Sequence, residues 1–280
     1  MKNHVISLYD YTGEALRPWA EAGYQCFAYD IQHDPSFLGS LEPSSHKSFN
    51  GGGNIFYIHA DLYDPNKLLE LLARHNQKTF FMSAFPPCTD LASSGALWWK
   101  KKALINPDFQ MDAVLNVTRC ALLGRALNCP FYIENPVGAL SRMWRKPDYK
   151  FDPCDFGGYL PEDDVHPNWP EIIPPRDAYR KKTCLWVGNK FKMPRPNAVA
   201  HETIVHNRKD PKKGKTSSRV QGSTGGKSVK TKNIRSATPR GFAKAVFFAN
   251  ADYNWVNTEE SVLGGVRHYG NDIILKGYID

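Results

Sequence analysis

The chain has 280 residues, of which 41% are hydrophobic and 23% charged, with a formal net charge of +8. This composition excludes wholesale disorder, and the length suits one large domain or one domain with a small appendage. No stretch approaches 18 uncharged apolar residues, which excludes a membrane-spanning helix. The N-terminal residues lack the pattern of a secretion signal, so we expect a cytoplasmic protein whose six scattered cysteines are free thiols and not metal ligands.

Strand-like and helix-like segments alternate along the first half of the chain. Predicted strands cover residues 5–9, 24–29, 55–59, 78–84, 131–133 and 182–188. Predicted helices cover residues 14–22, a segment that begins at Pro65, residues 109–127 and residues 241–250. Thr12 is the expected cap of the first helix and Gly23 its expected stop. The alternation predicts an α/β fold built on a doubly wound, mostly parallel sheet.

Two polar segments are predicted to lack regular structure. Residues 39–54 contain three consecutive glycines and are expected to form a surface loop, and residues 222–232 resemble a flexible loop. A short strand-rich tail is expected to end the chain. The sequence from Trp98 to Lys102 is either an ordinary helix start or a segment that closes over a substrate.

Chemically active side chains follow several of the predicted strands. Gly13, Asp30, Asp61, Cys88 and Glu134 all lie where a strand ends, and in an open parallel sheet ligands bind beyond these carboxyl ends. An acid after the second strand typically accepts hydrogen bonds from ribose hydroxyls, although a solvated turn residue is an equal alternative for Asp30 and for Asp61.

Cys88 and Glu134 are the candidates for catalysis. Cys88 follows two prolines, which would hold its side chain over a cleft as a nucleophile, whereas the alternative is a buried thiol at a strand end. A carboxyl such as Glu134 can be kept protonated by burial and can donate a proton to a ring nitrogen. On its own, Glu134 would more often cap a helix or form a salt bridge.

The positive charge is concentrated between Asn207 and Arg235. This segment holds ten basic residues and one acidic residue, whereas the rest of the chain is nearly balanced. Such a strip favours a polyanion as partner, and a disordered solubilising loop is the alternative. The predicted nucleic-acid contacts are Lys209, Lys212, Lys213, Lys215, Arg219, Lys227, Lys230 and Lys232.

Taken together and in order, the motifs resemble the cytosine-C5 DNA methyltransferase family, in particular its compact members from bacteriophages. The matching segments are the loop Ser7–Gly13, Phe85-Pro86-Pro87-Cys88, Glu134-Asn135, Arg180-Lys181-Lys182 ahead of Thr183-Cys184-Leu185-Trp186, and Ser236-Ala237-Thr238-Pro239. The resemblance covers about residues 1–35, 55–140 and 175–250.

The resemblance implies a Rossmann-like fold that binds S-adenosylmethionine and transfers its methyl group to C5 of cytosine in DNA. Cys88 would add to C6 of the base, Glu134 would protonate N3, and Arg180 and Lys182 would hold the pyrimidine carbonyl or the flanking phosphate. The implied cofactor-binding residues are Tyr9, Gly13, Asp30, Ile31, Asp61, Leu62 and Pro86.

The implied organisation has three parts. Residues 1–188 would form the catalytic domain, residues 189–236 a short basic target-recognition region, and residues 237–280 a helix that returns to the catalytic domain, followed by a tail. The expected partner is DNA, the expected state is a monomer, and the expected location is the cytoplasm of a bacterial or phage-infected cell.

Two alternatives remain open. The same chemistry could act on a cytosine mononucleotide or on single-stranded DNA, because only about fifty residues separate Trp186 from Pro239 and leave little room for a recognition domain. The chain could also be a non-catalytic nucleic-acid-binding relative, because Tyr11 and Glu14 stand where the family usually has glycine.

Overall fold

One eight-stranded sheet forms the centre of the molecule. A computed structural model describes residues 2–37, 41–201, 204–205, 216–218, 220, 224, 228–251, 266–269 and 272–275. The sheet consists of β1 to β8, which span His4–Leu8, Gln25–Asp30, Ser45–Ser48, Asn54–His59, Thr79–Ala84, Phe131–Pro136, Tyr149–Phe151 and Thr183–Gly188. Their order is β3-β4-β2-β1-β5-β6-β8-β7. The five central strands from β4 to β6 run parallel, whereas β3, β7 and β8 pair antiparallel with their neighbours.

Helices cover both faces of this sheet. The helices α1 to α7 span Arg17–Glu21, Pro65–His75, Trp99–Ile105, Phe109–Ala126, Leu140–Met143, Val229–Ser236 and Arg240–Asn250. Successive side chains of a strand point to opposite faces, so Val5 packs in a core cluster with α1 and α7, and Ile6 packs in a second cluster with α2 and α4. The predicted α/β fold with a mostly parallel sheet is therefore confirmed.

Two antiparallel strand pairs lie outside the main sheet. The strand β9 (Ile204–Val205) pairs with β10 (Thr216–Ser217), and β11 (Val266–Tyr269) pairs with β12 (Asp272–Leu275). The second pair confirms the expectation of a strand-rich tail.

All six predicted strands and all four predicted helices are present, but the first helix starts later than expected. It begins at Arg17 and not at Glu14, and Leu16 precedes it without a side-chain cap. Thr12 is not the cap, because it lies five residues before Arg17. Its hydroxyl donates to the Asp10 carboxylate at 3.2 Å and accepts the Glu14 N–H at 3.4 Å, both within the loop after β1. Gly23 does stop the helix, with a φ of 93°.

The two segments predicted as loops are partly regular. Within residues 39–54, Ser45–Ser48 forms the edge strand β3, whose residues are all exposed and therefore show no apolar alternation. Within residues 222–232, α6 begins at Val229, and the Ser228 hydroxyl accepts a hydrogen bond from the Thr231 N–H at 3.2 Å. The helix α3 begins at Trp99, so the structure agrees with the prediction that residues 98–102 are an ordinary helix start.

Candidate active site at the ends of the parallel strands

The carboxyl ends of β1 and β5 lie side by side at the middle of the sheet. The chain continues from β1 toward β2 and β4 on one side, whereas β5 is followed by β6 on the other. This reversal of strand order is the point at which open α/β sheets form a ligand crevice. The loop Tyr9–Gly13 follows β1 and the segment Phe85–Cys88 follows β5, and the Phe85 N–H donates to the Leu8 carbonyl at 2.9 Å.

Cys88 sits in a turn that is fastened to the neighbouring strand. Its carbonyl accepts hydrogen bonds from the Leu91 and Ala92 N–H groups at 3.0 and 2.8 Å. The side-chain amide of Asn135, at the end of β6, donates to the Pro86 carbonyl at 2.9 Å, and this bond is buried. The end of β6 therefore fixes the backbone that carries the thiol.

Glu134 lies close enough to Cys88 for the two groups to influence each other. Burial raises the pKa of the Cys88 thiol, and the Glu134 carboxylate raises it further. Burial also raises the pKa of Glu134. Although this residue keeps some exposed surface, its Oε1 is buried and has no hydrogen-bond partner among the described residues. A carboxyl in this state tends to stay protonated and can donate to a base nitrogen.

The cation beside this pair is Lys181. Its charge lowers the pKa of both Glu134 and Cys88, and it lines a cleft together with Glu134. Lys182 instead donates to the Asp152 carboxylate at 2.7 Å, which raises the pKa of Lys182, and Arg180 is exposed. The structure thus brings together Cys88 and Glu134, but not Lys182.

Strand geometry explains why the middle lysine faces the site. Leu185 of β8 lies directly opposite Glu134 of β6, and residues paired in this way point to the same face. With a period of two, Thr183 and Lys181 share that face and Lys182 points away. The sequence analysis missed Lys181 because it matched the first and third basic residues of Arg180-Lys181-Lys182 to a family motif. The register between β6 and β8, which shows that Lys181 faces Glu134, is not visible in the sequence.

The connection between α6 and α7 forms one wall of the cleft around Glu134. Its walls are formed by Phe85, Phe151, Lys181, Thr183, residues 236–239 and Phe242. Arg235, the residue before this connection, also lowers the pKa of Cys88. Arg235 is a second cation near the thiol that was not among the predicted site residues.

The loop after β1 is organised by a buried carboxylate. Asp10 accepts hydrogen bonds from the Ser7 hydroxyl at 2.8 Å, from the Gly13 N–H at 2.8 Å and from Thr12. Burial raises the pKa of Asp10. The sequence analysis gave the Asp10 side chain no role. Its position three residues before Gly13, in the predicted cofactor loop, was the available signal.

The residues predicted for the cofactor fall on this loop, at the ends of β2 and β4, and, in the case of Pro86, after β5. Tyr9 adopts a φ of 57°, and its hydroxyl donates to the Leu62 carbonyl at 3.2 Å. Gly13 has a φ of 69° and lies against the ring of Tyr57. Leu62 and Pro86 are buried. The loop that follows β1 thus contacts the residues that follow β4.

The two acidic residues differ in their surroundings. The Asp30 carboxylate is buried at the end of β2, accepts the Gln32 N–H at 2.8 Å, and has its pKa raised by burial. Asp61 is exposed after β4 and accepts the Tyr63 N–H at 3.0 Å. Ile31 is exposed beside Asp30.

Of the predicted nucleic-acid contacts, two lie in the described part of the chain. Lys230 and Lys232 are on α6 and are exposed. The others lie outside the described residues: Lys209, Lys212, Lys213, Lys215, Arg219 and Lys227.

Comparisons with known proteins add no family assignment. No protein-family model matches the chain, and no curated protein matches it at a significant level. Among the described residues, no helix is long and apolar enough to cross a membrane, and no group of three or more His, Cys, Asp or Glu side chains is arranged to hold a metal ion.

Proposed function

We propose that this chain is an S-adenosylmethionine-dependent methyltransferase that acts on C5 of cytosine in DNA. The proposal depends above all on one observation, the proximity of the Cys88 thiol to the buried carboxyl of Glu134 at the ends of neighbouring parallel strands. A nucleophile next to a carboxyl that tends to stay protonated suits addition to a pyrimidine ring, because the ring accepts electrons as the new bond forms.

In the proposed reaction, Cys88 Sγ forms a bond to C6 of the base and the electron pair of the C5–C6 double bond moves toward C5. Glu134 donates a proton to N3 and so stabilises the charge that develops on the ring. S-adenosylmethionine, when bound, supplies an electrophilic methyl group for C5. After the methyl group has left S-adenosylmethionine, which becomes S-adenosylhomocysteine, and has reached C5, the C5 proton would pass to a base such as water, and the electron pair of the C5–H bond would re-form the C5–C6 double bond. The bond between C6 and sulfur would break as this double bond forms, which returns the Cys88 thiolate, and Glu134 would take back the N3 proton.

Lys181 has two roles in this proposal. Its positive charge favours the thiolate of Cys88, which burial and Glu134 otherwise disfavour. It also lines the cleft with Glu134. This cleft has a volume of about 10 Å³ and must widen before a pyrimidine can enter. In the widened cleft the ammonium group would donate to the carbonyl oxygen of the base. We therefore assign to Lys181 the role that the resemblance gave to Lys182.

The residues at the crevice fit the proposed cofactor. Asp30 offers a buried carboxylate after the second parallel strand, where doubly wound folds hold ribose hydroxyls. Gly13 leaves the loop without a side chain at a point where the backbone is tightly packed. Leu62 and Pro86 add apolar surface, and these residues, with Tyr9, Ile31 and Asp61, would hold the nucleoside and the methionine portion.

DNA as the substrate is supported by cations close to the thiol. Arg235 is exposed and lowers the pKa of Cys88, and Lys230 and Lys232 lie on the same helix. Cations beside a nucleophile suit the phosphates that flank a base turned out of the double helix. The sequence that precedes this helix carries further lysines and arginines, which lie outside the described residues.

The test is methyl transfer from labelled S-adenosylmethionine to duplex DNA, single-stranded DNA and dCMP, with the products digested to nucleosides and identified by mass spectrometry. We expect 5-methyldeoxycytidine from duplex DNA, its loss in Cys88→Ser, and its retention in Cys129→Ser, which changes a buried thiol that precedes β6, at the end of that strand away from Glu134. Product from dCMP or the single strand alone would identify the alternative substrate. No product, together with no cofactor binding in calorimetry, would favour a non-catalytic nucleic-acid-binding protein.

A further inference from the structure

A second cleft lies beside the loop that follows β1. It has a volume of about 230 Å³ and is bounded by this loop, α1, the β3–β4 hairpin and the turn at residues 167–168. Its lining residues are Thr12, Gly13, Glu14, Arg17, Lys47, Phe49, Ile55, Tyr57, Pro167 and Asn168. It shares Gly13 with the predicted cofactor residues, and it shares no residue with the cleft around Glu134.

The wall of this second cleft contains a carboxyl group without a hydrogen-bond donor. Glu14 is 7% exposed, and its buried Oε2 has no hydrogen-bond partner among the described residues. The Arg17 guanidinium lies 3.7 Å from this oxygen, beyond hydrogen-bonding distance. Buried acceptors are normally satisfied by protein, water or ligand, so Glu14 is suited to an N–H group that enters the cleft.

Three cations lower the pKa of Glu14, and two of them, unlike Arg240, line the cleft. Arg17 and Lys47 both line the cleft and both act on Glu14 by lowering its pKa, against the larger opposite effect of burial. Arg17 is about one-third exposed and Lys47 lies on the exposed edge strand β3. An arginine and a lysine that reach solvent beside one cleft suit a phosphate group.

Aromatic side chains provide the third element. Phe49 and Tyr57 line the cleft, and the Lys47 ammonium lies 5.4 Å from the centre of the Phe49 ring. Flat ligands stack on such rings, and the Tyr57 hydroxyl adds a polar group. A phosphate, a flat ring and an N–H donor occur together in a nucleotide.

We infer that this cleft binds a nucleoside monophosphate, with its phosphate between Arg17 and Lys47 and an N–H group of its base directed to Glu14. The nucleotide is either free in solution or the 5′-terminal nucleotide of a strand, since the two present the same chemistry. The inference does not depend on the proposed methyl transfer, because it concerns a separate set of side chains.

The experiment is calorimetric titration of the full chain with dAMP, dCMP, dGMP, dTMP, the unphosphorylated deoxynucleosides and inorganic phosphate, without S-adenosylmethionine and without DNA. We expect at least one nucleotide to bind more tightly than its nucleoside and than phosphate. Lys47→Ala and Glu14→Gln should each weaken this binding about tenfold, since the first removes a charged donor to the phosphate and the second replaces one of the two carboxyl oxygens by an NH₂ donor. Circular dichroism checks that both variants remain folded.

Two control variants locate the binding. Lys67→Ala and Glu70→Gln each change one partner of an exposed ion pair on α2 that lies outside the cleft, so neither should alter the affinity. The inference is wrong if no nucleotide binds, if phosphate binds as tightly as every nucleotide, or if binding responds to either control variant and not to Lys47→Ala. A comparison of single-stranded oligonucleotides with and without a 5′-phosphate distinguishes the terminal nucleotide of a strand from a free nucleotide.

Discussion

Replacing Gly13 by alanine would test the packing of the loop that follows β1 against Tyr57. Gly13 has a φ of 69°, and a Cβ there would lie 2.9 Å from the Tyr57 hydroxyl oxygen and 3.1 Å from the ring atom Cε1. A left-handed conformation costs alanine about 1–2 kcal/mol, and a forced contact of this kind costs about 1–3 kcal/mol more. We therefore expect Gly13→Ala to lower the free energy of unfolding by about 2–5 kcal/mol.

The assay is urea unfolding followed by circular dichroism, in the natural chain and in Tyr57→Ala. Without the ring, Gly13→Ala should cost only the backbone part, about 1–2 kcal/mol. Gly52→Ala is the matched control, since Gly52 has a φ of 80° and no atom within 4 Å of the added Cβ. Equal losses in the two backgrounds would refute the contact with Tyr57, and no loss in either would refute the strained backbone as well.

Three further predictions concern charge. Removing the carboxylate in Glu134→Gln should lower the pKa of Cys88, and removing the cation in Lys181→Met should raise it, measured as the pH dependence of Cys88 alkylation. Burial raises the pKa of Asp177 from its usual value near 4 to about 6, so its contribution to stability is present below pH 4 and is lost as the pH rises through 6. The free energy of unfolding of Asp177→Asn, relative to that of the natural chain, should therefore increase by up to about 3 kcal/mol between pH 4 and pH 7.5. Thermal unfolding at several pH values measures this difference. Neutralising the lysines of residues 209–232 should weaken DNA binding and flatten its salt dependence in titrations at several salt concentrations.

Each of these predictions has a result that would contradict it. Lys182→Met should leave the alkylation profile of Cys88 unchanged, because Lys182 is paired with Asp152, and an equal effect of both lysine variants would overturn the assignment of Lys181. A constant stability difference between Asp177→Asn and the natural chain across the pH range would exclude a raised pKa for Asp177. An unchanged salt slope would exclude the basic segment as the phosphate contact.

The sheet was largely predictable from the sequence because its strands are buried and apolar. Residues 5–8 and 81–84 form short, mostly apolar segments that are entirely buried. Segments of this length and composition are typical of strands in the interior of a parallel sheet. The edge strand β3 escaped prediction because its four residues are polar and exposed, and its pairing depends on β4 and not on its own pattern. Local sequence carries little information about such a strand.

The candidate site was predictable only in part. Strand ends indicated Cys88 and Glu134, since the residues after parallel strands meet at one edge of the sheet. Which of two adjacent lysines faces Glu134 depends on the register between β6 and β8, and that register is set by long-range pairing. The role of Asp10 likewise depends on three hydrogen bonds that form only when its loop is folded.

The direction of β8 has a consequence for how this site can be varied. Because β8 runs antiparallel beside β6, the residues that enter β8 reach the same edge of the sheet as the residues that leave the parallel strands. Lys181 and Thr183 thus come from a segment that is independent of the parallel strands and their crossovers. Exchanging residues 180–182, none of which is buried, between proteins of this architecture would therefore alter the cation at the cleft while the hydrophobic clusters on both faces of the sheet stay intact.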